Sequence, residues 1–308
     1  MNLSINKVTT LTEAVQGLVN DGDTIALGGI LSREPVACSY ELIRQHKKDL
    51  TIIVDSHDES VELLIGAGLV KKVESAYIWV GVIGSGLNFR RAVEKGIPRH
   101  VEVEDYTNLA IGMRFLAGAL GVPFMPVLSM SGSDIPKYND KIVSMKDPYK
   151  GQQVNLVPAA EPDVAFIHVQ RADKMGNAQI WGMLANDVNI ARAAKKVILT
   201  CEEIIPTSEI RKIPNMTQIP HYCVDAVVEL PFGAHPLGVA GYYWLDTPFR
   251  KEWLKASKSQ EGFDAWLEEW VFSWDTFEEY LHKLGSDRLA KLRKLERDNY
   301  RIPRIENY

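Results

Sequence analysis

Short apolar runs alternate with amphipathic stretches along most of this chain, and that alternation constrains the fold more than any other feature. Residues 24–27 and 50–54 are apolar runs of strand length, while residues 36–44 between them have helical periodicity. The same pattern returns in the second half, where apolar runs cover residues 164–169 and 196–200. Strands that alternate with helices are typical of α/β proteins. We therefore predict an open, mostly parallel sheet that is flanked by helices.

Further elements follow from the same periodicities. Helices are predicted over residues 10–19, 59–65, 105–120 and 186–194, and strands over residues 76–82, 101–104, 122–127 and 224–230. The strand at 101–104 alternates in polarity and is predicted to be exposed. Asp105 suits the first position of the long helix, because acids stabilise helix N-termini, and Gly121 suits its end.

Two segments depart from this pattern. Residues 129–162 are rich in Ser, Gly, Pro, Asp and Lys and are predicted to be a long loop or excursion, a type of segment that is often functional. From Glu261 to Gly285, aromatic residues and leucines recur at three- and four-residue spacing, which predicts one or two amphipathic helices, followed by a last helix at 287–297. We therefore predict an α/β domain over residues 1–260, which includes the excursion, and a helical C-terminal extension over 261–308 packed on it.

Composition narrows the possible functions. The formal net charge of −5 gives no basic excess, so a nucleic-acid surface is not expected. The three cysteines lie far apart, which argues against a disulfide framework or a zinc site. The sequence shows neither a signal-peptide pattern nor a run of 18 apolar residues, so we expect a cytoplasmic enzyme that makes no membrane contact.

Two glycine turns stand at predicted strand ends: Gly28–Gly29 after the first strand, and Gly84-Ser85-Gly86 after a later one. Ligands of open α/β sheets bind beyond the carboxyl ends of strands, where glycines let the backbone approach a ligand and present its N–H groups. Neither turn has the spacing of a dinucleotide fingerprint or of a phosphate-binding loop. The alternative is that these glycines only serve tight turns.

The stretch 21–30, Asp-Gly-Asp-Thr-Ile-Ala-Leu-Gly-Gly-Ile, resembles the signature of family I CoA-transferases, with Ile30 in place of the usual Phe. The resemblance extends along almost the entire chain and is to the first (A) subunit of the glutaconate type. The blocks that carry it are residues 104–106, 117–127, 164–170, 180–182, 187–191, 200–205, 223–228, 233–236, 269–272 and 280–285.

This resemblance implies an enzyme built from two similar subunits, with an α2β2 assembly expected. In such enzymes a glutamate attacks an acyl-CoA thioester and becomes a glutamyl-CoA thioester, from which a second acid takes the CoA. That glutamate belongs to the B subunit, and the Ser-Glu-Asn-Gly sequence that surrounds it in related members is missing here. We therefore expect CoA transfer involving a small (di)carboxylic acid, a CoA thioester as substrate, no permanently bound cofactor or metal, and no activity of this chain alone.

The resemblance also implies that the strand-end loops of this chain shape the acyl and carboxylate pocket. Ser85 is the first candidate, because its hydroxyl and the adjacent N–H groups could donate to a carboxylate or an oxyanion. Arg33 could pair with a carboxylate or a phosphate, or equally form a surface ion pair. The full set of predicted substrate-binding residues is Gly28, Gly29, Ile30, Arg33, Gly84, Ser85, Gly86 and Ser131.

Four other polar residues have competing interpretations. Glu104 and Glu202 are secondary candidates for catalytic acids. Glu202 forms a carboxylate pair with Glu203, and the place of this pair in a family block suggests structural hydrogen bonding. His168 is predicted to be a hydrogen-bonded histidine of the core, since it lies in an apolar strand. His235, in Gly-Ala-His-Pro, is predicted to stabilise a turn or a subunit contact.

Two other functions remain open at this point. Relatives with the same fold are ring-opening acyl-CoA hydrolases or decarboxylases, and the hydrolase type uses a glutamate of its A chain just before the long helix. The register of the resemblance puts Asn108 near that position, and Glu104 is close to it. The third alternative is a subunit that binds CoA esters without catalysis.

Overall fold

The computed structural model of the chain describes residues 5–299. Its strands are β1 (Thr24–Leu27), β2 (Leu50–His57), β3 (Val70–Val80), β4 (Gly84–Ser85), β5 (Glu102–Asp105), β6 (Phe124–Val127), β7 (Val143–Lys146), β8 (Gln153–Pro158), β9 (Val164–Ala172), β10 (Ala178–Gln179), β11 (Lys196–Ile204), β12 (Thr217–Ile219) and β13 (Ala226–Glu229). Its helices are α1 (Leu11–Leu18), α2 (Val36–Arg44), α3 (Glu59–Gly66), α4 (Leu87–Lys95), α5 (Asn108–Leu120), α6 (Ile135–Tyr138), α7 (Asp187–Ala193), α8 (Thr207–Lys212), α9 (Thr247–Ala256), α10 (Gln260–Trp270), α11 (Phe277–Leu284) and α12 (Ser286–Asn299).

The main sheet is mostly parallel, as predicted. Its parallel strands lie in the order β13-β11-β9-β1-β2-β3-β5, and the short strands β4, β10 and β12 add antiparallel pairs. Ile25 and Leu27 of β1 face one hydrophobic cluster with α1, α2, α3 and the C-terminal helices, whereas Ala26 faces a second cluster with α5 and α7. A parallel sheet needs cover on both faces, which explains why β2 is buried along its whole length.

Most predicted elements are present with shifted ends, and three details differ. The long helix α5 begins at Asn108 and not at Asp105, because the side chain of Thr107 accepts the N–H of Ala110 and caps it. Asp105 instead ends β5, in which Glu104 is buried although the strand was predicted to be exposed. Helices α8 and α9 were not predicted.

The C-terminal region is helical, as predicted, and aromatic side chains join it to the sheet domain. The ring of Tyr40 in α2 contacts the rings of Trp266, Trp274 and Tyr280, at centroid distances of 5.6–6.4 Å. The placement of a boundary at residue 260 stays a prediction. Between residues 5 and 299, no helix is long and apolar enough to cross a membrane.

The segment 129–162, predicted to be a long loop, contains α6, β7 and β8. Strand β8 pairs with both β6 and β7, so the segment completes an antiparallel sheet of three strands, which we call the small sheet. Asn139 donates to the carbonyl of Asp105, and Arg114 of α5 donates to the carbonyl of Pro158. The small sheet is therefore fixed against α5 and the β5 edge of the main sheet.

Candidate functional site

The order of the main sheet reverses at β1, which marks where a ligand would bind. From β1 the chain builds outward through β2, β3 and β5 on one side, and through β9, β11 and β13 on the other. In open α/β sheets the crevice for ligands lies beyond the carboxyl ends of the strands at such a reversal. The turns after β1, β2 and β3 are therefore the candidate site.

The first glycine turn, Gly28–Gly29, is held by hydrogen bonds within the protein. The N–H of Gly28 donates to the carbonyl of Phe166, and the N–H of Gly29 donates to Asp187 Oδ1 at 2.9 Å. A Cβ atom on Gly28 would lie 2.5 Å from that same Asp187 oxygen, and Gly29 has φ +77°. Glycine is thus required for the approach of Asp187. Both N–H groups are thus already donated within the chain, and that the two glycines line the substrate cavity stays a prediction.

Arg33 forms a buried ion pair with the same aspartate. Its Nη2 lies 2.9 Å from Asp187 Oδ2, and both side chains are 1% exposed. The guanidinium also donates to the carbonyls of His168 and Met183. The alternative of a surface ion pair is therefore wrong. The carboxylate that Arg33 binds in this structure belongs to the protein itself, and Ile30, half-buried beside it, donates its N–H to the carbonyl of Ser32.

His57 and Asp55, at the end of β2, hold the first glycine turn from the other side. His57 Nε2 lies 3.2 Å from the carbonyl oxygen of Gly28, and its Nδ1 lies 3.4 Å from Asp55 Oδ1. Burial alone would lower the pKa of His57, but the negative charges of Glu34 and Asp55 raise it to about 9. A protonated His57 therefore donates to Gly28, so that the Gly28–Gly29 peptide is fixed at its C=O by His57 and at its N–H by Asp187.

A cluster of buried acids joins the turns after β1, β2 and β3. Glu34 accepts the hydroxyl of Ser60 at 2.6 Å and the N–H of Asp58 at 3.2 Å. Asp58 in turn accepts the N–H of Gly81 at 2.9 Å, and Arg250 of α9 donates to both Asp58 and Glu59. Two of the three carboxylates thus share one guanidinium. Burial and the neighbouring charges of Glu34 and Glu59 raise the pKa of Asp58 to about 8.

This cluster predicts that the protein loses stability as the pH rises from neutral to alkaline. The pKa of Asp58, about 8 when folded and 3.8 ordinarily, means that folding favours its protonated form. The stabilisation is complete below pH 3.8 and is lost as pH rises through about 8. The pKa of His57 is about 9 when folded and 6.5 ordinarily, so folding also favours the protonated form of His57. Its contribution to stability is therefore lost as the pH rises from 6.5 through about 9. We expect the melting temperature to fall from pH 6 to pH 9, and to fall less in Asp58→Asn. A melting temperature that is constant or rises over this range would contradict the prediction.

Two glycines of the second glycine turn are closely packed, and their role in substrate binding stays a prediction. A Cβ on Gly84 would lie 2.7 Å from Leu254, and one on Gly86 would lie 2.6 Å from Glu62 Oε1. The Glu62 carboxyl group accepts the N–H groups of Asn88 and Phe89 at the amino end of α4, and burial raises its pKa to about 7. Ser85 differs from its neighbours. It is exposed and makes no hydrogen bond through its side chain within the described residues.

The loops after β1 and β3 come together at Leu31 and Gly81, which lie just outside the two glycine turns. A Cβ on Gly81 would lie 2.2 Å from the side chain of Leu31. Val82, the next residue, has φ +60° and is 83% exposed. Ser131 lies in an exposed turn of the 129–162 segment, and no hydrogen bond among residues 5–299 links it to either glycine turn.

The two secondary candidates for catalytic acids have structural partners. Glu104 binds Lys72, Lys141 and the hydroxyl of Tyr106, and although burial would raise its pKa, these contacts lower it. Glu202 accepts the N–H of Phe232 at 3.0 Å and lies 2.8 Å from His168 Nε2.

His168 and His235 are buried, and the side chains of both form hydrogen bonds. Nδ1 of His168 lies 2.8 Å from Thr200 Oγ1, so its prediction as a hydrogen-bonded core residue is confirmed. His235 contacts Asp246 and Tyr280. Its packing joins the turn at 233–236 to the C-terminal helices.

Comparison with known proteins agrees with this architecture. The family model for coenzyme A transferase matches residues 8–230, and the chain belongs to that family. As a subunit of such an enzyme, the chain takes part in the transfer of CoA.

Among named relatives, it is 42% identical to the A subunit of glutaconate CoA-transferase from Acidaminococcus fermentans, over 97% of this chain and 98% of the relative. The crystal structure of that enzyme matches with a TM-score of 0.87, covering 93% of this chain and 95% of the other.

Two further relatives differ in their named activity. The chain is 38% identical to the A subunit of 3-oxoadipate CoA-transferase from Pseudomonas knackmussii, over 92% of this chain and 99% of the relative. It is 27% identical to the cholesterol ring-cleaving hydrolase IpdA subunit of Mycobacterium tuberculosis, again over 92% and 99%. The two transferase subunits are thus more similar to this chain than the hydrolase subunit.

Proposed function

We propose that this chain is the A subunit of a heteromeric CoA-transferase that moves CoA between an acyl-CoA and a small dicarboxylic acid. The similarity to the glutaconate and 3-oxoadipate enzymes supports this proposal, since both of those acids are dicarboxylic. The nucleophile would be a glutamate of a B subunit. We propose an α2β2 assembly in the cytoplasm, without contact to a membrane. The CoA thioester would be a substrate, and no cofactor or metal would be permanently bound.

One observation supports the proposal that the nucleophilic carboxylate belongs to the partner chain. Six buried carboxylate side chains lie near the loops after β1, β2 and β3, and each is engaged by groups of this chain: Glu34, Asp55, Asp58, Glu59, Glu62 and Asp187. A carboxylate must be exposed and mobile enough to reach a thioester carbonyl before it can attack. None of these six meets that condition, which supports the supply of the attacking carboxylate by another chain.

The chemistry then follows from carboxylate and thiolate exchange. The partner's carboxylate attacks the thioester carbonyl and the C–S bond breaks, so that CoA leaves as a thiolate and the acyl group is joined to the glutamate as a mixed anhydride. The thiolate attacks the glutamyl carbonyl of that anhydride, which releases the first acid as a carboxylate and leaves glutamyl-CoA. The second acid takes the CoA by the reverse steps. This chain would position the acid and keep water away from the anhydride.

Trapping the covalent intermediate tests this proposal. The purified pair of chains is incubated with acyl-CoA, treated with borohydride or hydroxylamine, and digested for mass spectrometry. We expect one modified glutamate, on the partner chain, and no modification of Glu34, Glu59, Glu104 or Glu202 here. No modification at all, together with acid release into water, would favour hydrolysis. Tight CoA-ester binding without any turnover would favour a non-catalytic subunit.

The hydrolase alternative has less support from the structure. Asn108, which stands near the position of the hydrolase glutamate, lies at the amino end of α5 and its Oδ1 accepts the hydroxyl of Ser56. An amide cannot act as a general base. Glu104, the nearest glutamate, is bound by two lysines and a tyrosine, which keeps its carboxylate ionised but occupied.

Ser85 is the residue of this chain that we propose to bind the distal carboxylate of the acid. Ser85→Ala is expected to raise the KM for the acid about 10-fold, because one hydrogen bond to a charged group contributes about 1.5–3 kcal/mol. The melting temperature should stay unchanged, since the side chain is exposed. Ser208→Ala, which removes another exposed hydroxyl in α8, is the matched control. An unchanged KM in Ser85→Ala would remove Ser85 from the site.

A further inference from the structure

The loop after β3 contains a strained backbone position beside the candidate site. Val82 has φ +60°, a value that β-branched residues rarely adopt. Val82 is 83% exposed, so packing of its side chain does not explain this conformation. Leu31 and Arg33, in the loop after β1, also have positive φ values, +55° and +59°. Strained positions persist only where the surrounding structure holds them, and they cluster at functional sites.

Two buried carboxyl groups hold these two loops through backbone N–H groups. Glu34 Oε1 accepts the N–H of Leu31 at 3.4 Å. Asp58 Oδ1 accepts the N–H of Gly81, the residue directly before Val82, at 2.9 Å. Glu34 Oε1 also accepts the N–H of Asp58 at 3.2 Å. One connected set of hydrogen bonds therefore holds the loops after β1 and β3.

Helix α9 holds the loop after β3 at two points. Arg250 Nη2 lies 3.2 Å from Asp58 Oδ2, and both side chains are buried. One turn further along α9, Leu254 packs against Gly84, where a Cβ atom would lie 2.7 Å from the leucine side chain. The C-terminal region thus fixes the start of the loop through Asp58 and its end through Leu254.

The position of Ser85 depends on the path of this loop. Pairing of β3 with β4 sets Ser85 opposite Trp79 and Gly84 opposite Val80, so only residues 81–83 connect the two strands. Val82 is the middle residue of that connection. A return of Val82 to a negative φ would redirect the short connection and move Ser85. The Ser85 side chain is exposed and forms no hydrogen bond among residues 5–299, so it does not fix its own place.

We propose that Asp58 is a positioning residue for the CoA exchange: its hydrogen bond to Gly81 holds the loop after β3 in the strained conformation that presents the Ser85 hydroxyl to the acid. This inference rests on the proposed function, in which Ser85 binds the distal carboxylate. Asp58 is fully buried and acts through the loop, without contact to the substrate. A binding group that is held in advance binds better than one that is free to move, because small displacements weaken its contact with the ligand.

Steady-state kinetics of the purified pair of chains test the proposal. We expect Asp58→Ala to raise the KM for the acid about 10-fold, as expected for Ser85→Ala, because both substitutions remove the same hydrogen bond to the carboxylate. The kcat should change less than KM, since the contact is to the bound acid and not to the reacting atoms. In the Ser85→Ala background, Asp58→Ala should change KM by less than about 2-fold, because two substitutions that act through one contact are not additive.

Two variants separate positioning from a general loss of stability. Asp58→Asn keeps an oxygen that accepts the N–H of Gly81, so its KM should stay within about 2-fold of the wild type. Asp163→Ala is the matched control. It removes a carboxylate that accepts the N–H of Thr24 at the same distance of 2.9 Å, but at the amino end of β1, on the opposite edge of the sheet. Its KM for the acid should not change.

Asp58→Ala is expected to fold, because Arg250 keeps Glu59 as a buried partner, and circular dichroism checks this. If it does not fold, Leu254→Ala, which loosens the same loop from α9, should raise KM with the same dependence on Ser85. A rise in KM of equal size with and without the Ser85 hydroxyl would overturn the proposal. So would an unchanged KM in folded Asp58→Ala.

Hydrogen exchange followed by mass spectrometry separates this proposal from the proposed function. The amides of residues 81–86 should exchange at least about 10-fold faster in Asp58→Ala than in the wild type or in Asp163→Ala, whether or not the pair transfers CoA. Exchange at the wild-type rate would overturn the positioning role of Asp58. A wild-type pair that transfers no CoA would instead contradict the proposed function, while faster amide exchange would still show that Asp58 holds the loop.

Discussion

Replacing Asp187 by alanine is expected to lower the free energy of unfolding by about 3–5 kcal/mol, because it leaves Arg33 charged, buried and without its ion-pair partner. The carboxylate of Asp187 also accepts the N–H of Gly29, which lies 158 residues away in sequence. Two contacts of the first glycine turn are therefore lost in one substitution. We also expect the turn to relax, since the space beside Gly28 is filled by that carboxylate.

Urea denaturation, followed by circular dichroism and tryptophan fluorescence, measures the effect. Asp187→Asn keeps an acceptor for Gly29 but removes the charge, so its loss of stability should be smaller. Glu94→Ala breaks the exposed ion pair with Arg90 and should change the free energy of unfolding by less than about 0.5 kcal/mol. A loss below about 1 kcal/mol in Asp187→Ala would show that the pair between Arg33 and Asp187 does not hold the turn.

The fold class follows from the sequence because burial on both faces of a parallel sheet leaves a regular pattern. Apolar runs such as residues 50–54 and 164–169 have strand length, and the helices between them show their own period. The approach of the loops after β1 and β3 at Leu31 and Gly81 is consistent with the same pattern, since both loops stand at carboxyl ends of parallel strands. The sequence does not show which group forms a hydrogen bond with each backbone N–H or C=O.

The donors of the first turn illustrate that limit. Gly28 and Gly29 have the composition of a ligand-binding turn, yet their N–H groups are donated to Phe166 and Asp187. No local sequence pattern shows that Asp187, at the start of α7, lies beside Gly29. The same applies to Arg33, whose buried partner is 154 residues away.

Sequence reasoning also missed the polar residues at the end of β2. Residues 55–62, Asp-Ser-His-Asp-Glu-Ser-Val-Glu, directly follow an apolar strand. Five ionisable side chains at a carboxyl strand end are the signal that could have found them. Their burial could not be foreseen, because it depends on Arg250 arriving from α9.

The separated chain is expected to exchange CoA between acids at least about 10³-fold more slowly than the reassembled pair, because loss of a nucleophile removes the covalent route. This expectation rests on the proposed function, and its structural reason is the buried, engaged state of the acids beside the glycine turns. The residue of this chain proposed to touch substrate, Ser85, can bind a carboxylate but cannot replace one that attacks.

Exchange rates are measured by following acyl-CoA formation from a labelled acid, with each chain alone and after mixing in varied ratios. Activity should rise with partner concentration until the two chains are equimolar. A partner whose glutamate is changed to alanine should assemble with this chain and remain inactive. Exchange at the full rate by this chain alone would place the nucleophile here, in conflict with the hydrogen bonds that hold Glu34, Asp58, Glu59 and Glu62.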